Sequence, residues 1–147
     1  MSMPWKSFVA TMLLLALPAA ASAQDLCADL NRIAAAARET PPFASLERAL
    51  AAGQAVLPGF GCRVRSEPGE ARQLICSRSM APPELAQAPM TALLRDCLGA
   101  EPVRAASPWS APGFTTADLD ILYDSHCDEG CHIGRIALLM VSARAAR

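Results

Sequence analysis

The sequence predicts a small α+β domain, an antiparallel sheet of two hairpins packed against two helices and stapled by disulfides. Three observations predict it. All six cysteines of the 147-residue chain lie at position 27 or beyond. Two stretches, 62–77 and 119–143, alternate as strands do around Gly-containing turns. Two others, Asp25 to Arg38 and the region after Pro82, repeat apolar residues at helical spacing.

The cysteines gain meaning from what precedes them. Lys6 supplies a positive charge, Phe8 to Leu17 is almost entirely apolar, Pro18 breaks the run and Ala21-Ser22-Ala23 closes it. That order matches a secretory signal peptide over residues 1–23, with cleavage expected after Ala23. The mature chain, 24–147, then has the length of one domain. It is expected in the periplasm or outside the cell, where thiols pair. Gln24, Asp25 and Leu26 separate Ala23 from Cys27, so no lipid attachment is expected there. Ile136 to Val141 is far shorter than the ~20 residues that cross a bilayer, so no membrane span is expected in the mature chain.

Asp25 stands where it would cap a first helix carrying Leu26, Leu30, Ile33 and Ala37, and Pro41-Pro42 stops it. Ser45 to Ala52 reads as a short second helix ending at Gly53. Leu57-Pro58-Gly59-Phe60-Gly61 is turn chemistry leading into a strand. Cys62, Val64 and Ser66 alternate with Arg63 and Arg65. Folding about Gly69 sets Val64 opposite Leu74 and Cys62 opposite Cys76. Pro82-Pro83-Glu84 opens a helical region with Met90, Leu93, Leu94 and Cys97 on one stripe and Gly99 as its stop. Glu101 to Ala106 reads as a strand, and Ser107 to Thr116 as a loop carrying Trp109 and Phe114. Leu119–His126 and His132–Ala143 form the second hairpin. Folding it about Glu129 sets Leu122 opposite Ile136 and Tyr123 opposite Arg135. Cys62, Val64, Leu74, Cys76, Leu122, Ile136 and Leu138 are the expected core.

Six cysteines allow 15 pairings, which geometry narrows. The first hairpin gives Cys62–Cys76, Cys127–Cys131 closes the tip of the second, and Cys27–Cys97 remains to tie two helices. The chain-entropy relation assigns these about 3, 2 and 4 kcal/mol as upper values. Beside a typical total of ~5–15 kcal/mol, that is a large share of stability.

Function is less legible. After removal of residues 1–23, 12 arginines face 14 carboxylates, a net charge of −2, and the arginines form no basic stripe. Nucleic acid is therefore not an expected partner. The chain has no Gly-x-Ser-x-Gly, His-Glu-x-x-His, phosphate-cradling glycine loop or Cys-x-x-Cys. One segment invites chemistry, His126-Cys127-Asp128-Glu129-Gly130-Cys131-His132. Its Cys131-His132 ending resembles the c-type haem attachment signature, although three residues rather than two separate the cysteines. The resemblance implies thioether links to Cys127 and Cys131, with His132 on iron. Without haem, His126, His132 and Asp124 form a candidate metal set, imidazoles and a carboxylate suiting zinc or copper. A disulfide-closed polar turn is the favoured reading of the segment, and no cofactor is expected. The expected function is a non-catalytic interaction or binding module with a protein partner. Trp109 and Phe114 are its candidate contact anchors, or else lids over a small core.

Overall fold

The computed structural model describes residues 19–103, 113–127, 131 and 134–144. Among these residues three α-helices, α1 (Ala19–Ala37), α2 (Ala44–Ala51) and α3 (Gln87–Leu98), cover a five-stranded antiparallel sheet. Its strands are β1 (Gly61–Arg65), β2 (Gln73–Arg78), β3 (Gly113–Thr115), β4 (Leu119–Cys127) and β5 (Arg135–Ala143), in the order β1-β2-β5-β4-β3. The domain is therefore α+β and disulfide-stapled, with one helix and one short strand more than the simplest two-hairpin arrangement.

In the full chain α1 starts at Ala19, so Asp25 lies within the helix rather than capping it. Leu30, Ile33 and Ala37 fall on one face at helical spacing and are buried. Pro41 and Pro42 disfavour helical conformation at the residues before them, and the chain turns into α2. The N–H of Ser45 in the first turn of α2 donates to Glu39 Oε2 at 2.7 Å, and this hydrogen bonding holds the Glu39 carboxyl below the usual carboxylate range. α3 tolerates Pro89 because first-turn N–H groups have no intrahelical acceptor. It ends on Gly99, whose φ of +60° suits the left-handed cap, with the Gly99 N–H donating to Arg95 O.

The first hairpin folds with Cys62 opposite Cys76 and Val64 opposite Leu74. Its disulfide spans a Cα separation of 4.0 Å. Cys27–Cys97 joins α1 to α3, and Cys127–Cys131 closes the tip between β4 and β5.

The second hairpin corrects two expectations. Leu122 pairs with Met140, Tyr123 with Leu139, His126 with Ile136 and Cys127 with Arg135. The register lies four residues from a fold about Glu129, because the ladder stops at Cys127 and resumes only at Arg135. An even shift keeps every side chain on its face, so the register alone does not move the core. The core is instead the other face: Leu119, Ile121 and Tyr123 of β4 with Ala137, Leu139 and Val141 of β5 are buried. Leu122 and Leu138 are half-buried and Ile136 is 36% exposed, on the face opposite α1, α2 and α3. β5 is apolar on both faces and gave no direction. β4 did, since Asp120 and Asp124 share the parity of Leu122.

The segment read as a strand at 101–106 contributes only the Val103–Gly113 bridge among the described residues. Residues 104–106 and Trp109 lie outside them. β3 is short, so β4 beyond Leu122 has an unpaired edge. Gln87 caps it: its Nε2 donates to Tyr123 O at 3.0 Å, and the Ser125 N–H donates to its Oε1 at 2.8 Å. One side-chain amide thus replaces a missing strand residue and attaches α3 to the sheet.

Candidate functional site

A cleft of about 300 Å³ opens on the helix-covered side. Its walls come from four places. The first turns of α1 after Gln24 supply Asp25, Leu26 and Asp29, and the turn before β1 supplies Leu57, Pro58 and Phe60. The approach to α3 supplies Pro82, Glu84 and Leu85. α3 itself supplies Met90, Leu93 and Leu94, while Tyr123 and Leu139 of the sheet form the floor and Arg78 ends β2. Most of this lining is apolar because the cleft is a gap in the packing between α1 and α3. The Cys27–Cys97 bond, with a Cα separation of 5.1 Å, fixes those helices beside it.

Asp29 and Tyr123 at the gap are held by hydrogen bonds. Asp29 accepts from Arg32 Nη2 at 3.0 Å, and the same guanidinium donates to Val56 O, which ties α1 to the segment before the turn. Tyr123 donates its phenol proton to Leu85 O. Burial pushes that phenol's pKa above its ordinary value, so it stays protonated and serves as a donor. Arg78 lies across Gly59, whose φ is +79°; a Cβ there would stand 2.7 Å from Nη1. The positive φ favours glycine at this position, while the flexible Arg78 guanidinium could move aside from an added Cβ. The cleft thus offers an apolar volume edged by Asp25, Glu84 and Arg78.

Among the described residues, none expected from the sequence to bind or ligate lines this gap, and Trp109 lies outside them. Asp124 and His126 are brought together on one face of β4, with Oδ2 at 3.1 Å from Nδ1. His132 lies outside the described residues, and among those described no three potential ligands cluster as a metal site would need. Cys127 and Cys131 are bonded to each other, which leaves neither sulfur for a thioether or a metal. Of the two readings of Phe114, contact anchor or cover of a small core, its burial agrees with the second. Its side chain is 1% exposed within the core, opposite Ile121, and so is not a contact anchor. β3 pairing explains this: Gly113 and Thr115 take the other face, which sends Phe114 inward.

The signal for the cleft was present but divided. Leu26, Leu93 and Leu94 read as helix stripes and Phe60 as part of a turn, and only the fold sets them around one space. Among the described residues, no helix is long and apolar enough to cross a membrane. Comparison with known proteins finds no family model, no curated protein and no solved structure that matches this chain.

Proposed function

We propose that this chain is an exported, non-catalytic binding module of the periplasm or cell envelope, and that its binding site is the cleft between α1 and α3. The carrying observation is the apolar gap of about 300 Å³ beside a disulfide-fixed helix pair. That volume is at the small end of ligand sites, and suits one or two apolar side chains of a protein partner. A cross-linked scaffold loses little conformational entropy on binding, which favours recognition by a preformed cleft. Asp25, Glu84 and Arg78 at the edge would fix the orientation of whatever enters. Export rests on the N-terminal charged, apolar and small-residue order and on the pairing of all six cysteines.

A neutral apolar fluorophore, N-phenyl-1-naphthylamine, tests the site. The reading expects its emission to rise on binding and to fall at least ~10-fold in apparent affinity in Leu93→Asp, because a buried carboxylate has no partner there. Binding indifferent to that substitution, in protein with native circular dichroism, removes the cleft as the site. Intact mass of the secreted or periplasmic product tests export, with Gln24 expected as the first residue.

A further inference from the structure

We propose that the face of the sheet opposite α1, α2 and α3 docks a second copy of this chain, about a two-fold axis running parallel to the strands between β2 and β5. The proposal does not rest on the cleft, which lies on the opposite face. Arg63, Ile75, Met140 and Leu122 stand in register across β1, β2, β5 and β4. All four take the parity opposite to the core, so one row runs from a cation through three apolar side chains. The next row places Leu138 beside Asp124, and Ile136 adds an exposed apolar side chain beyond it.

The charges on this face are separated across the row. On the β1 side, Arg65 is engaged by Glu67 at 2.7 Å and by Glu70 at 3.5 Å, while Arg63 has no ion pair among the described residues. On the β4 side, Arg144 and Thr115 occupy Asp120, while among the described residues Asp124 has only the neighbouring imidazole of His126. A basic edge and an acidic edge separated by an apolar centre are self-complementary under a two-fold rotation. With the axis between β2 and β5, Ile75 of each copy meets Met140 of the other. Arg63 then lies over the second copy's Leu122, with Asp124 one row away. Sheets stack about 10 Å apart, a gap that the Arg63 and Asp124 side chains can bridge.

Sedimentation velocity on the disulfide-intact chain, from about 1 to 500 µM, tests this at the concentrations where small interfaces associate. The expected result is a concentration-dependent dimer. Met140→Glu should abolish it across that range while keeping native circular dichroism, since the side chain lies outside the core. Arg63→Asp and Asp124→Arg should each weaken the dimer at least ~5-fold by placing like charges together. Combined in one chain, they should restore it to within about 2-fold, because each contact regains an opposite charge. A chain that stays monomeric throughout overturns the proposal, the face then being left to another segment or another protein. A dimer indifferent to Met140→Glu also overturns it, as does a double variant no tighter than the single ones.

Discussion

The two faces of the sheet are built from the same strands and alternate residue by residue, yet they have different roles. On one face Leu74, Cys76, Ile121, Tyr123, Leu139 and Val141 are buried beneath three helices. On the other, Ile75, Leu122, Leu138 and Met140 are half-buried among Arg63, Asp120 and Asp124. Composition does not separate the faces, because β5 is apolar at nearly every position. What separates them is the attachment of helices, by one covalent bond from α1 to α3 and by the Gln87 amide from α3 to the edge of β4. An apolar strand face becomes core only where something is held against it.

Breaking the attachment has the largest expected effect. Replacing Cys27 and Cys97 together with alanine should cost up to about 4 kcal/mol, since the bond closes a separation of 70 residues. Urea unfolding measures it, and a loss under ~1 kcal/mol would mean that packing alone holds the helices. The contrast between faces is sharpened by neighbouring leucines. Leu139→Ala should cost about 3 kcal/mol through a cavity beneath the helices, and Leu138→Ala less than about 1 kcal/mol. Equal losses would erase the distinction between the faces. Gln87→Ala should cost about 1–2 kcal/mol by leaving the Tyr123 carbonyl and Ser125 N–H unpaired. Hydrogen exchange at Ser125 should rise at the same time, and an unchanged rate would place the cap elsewhere.

Acid gives the smallest effect. Arg38, at the end of α1, donates to Asp118 Oδ2 through Nε at 3.0 Å and through Nη2 at 2.5 Å. Hydrogen bonding from Arg38 holds the Asp118 carboxyl below its ordinary value. A depressed folded-state pKa contributes stability that is present above the unfolded value of ~3.9 and lost as pH falls through the folded one. Asp118→Asn should therefore lower stability slightly at neutral pH and make no difference once pH falls well below the folded value, where the native carboxyl is protonated too. A loss that persists undiminished in strong acid would assign Asp118 a packing role instead. The pair is solvent-exposed, which keeps the effect small.

Much of the fold was legible locally. Gly69 and the Cys62–Cys76 alternation fixed the first hairpin, since only one register sets both cysteines face to face. The stripes of Met90, Leu94 and Cys97, with Gly99 after them, placed α3. The second hairpin was less legible although its ladder, like that of the first, leaves seven residues between its ends, because Cys127 bonds to Cys131 in the loop and no cross-strand cysteine pair pins the register. The candidate site was least legible, its walls being spread from Asp25 to Leu139.

Sequence by itself determined the period of each element and the local partners of its cysteines, because helices, turns and hairpins follow from neighbours a few residues apart. Tertiary structure decided which apolar face became core, where Phe114 points and where a cleft remains. Those outcomes depend on distant segments competing for the same surface, which no short stretch of chain encodes.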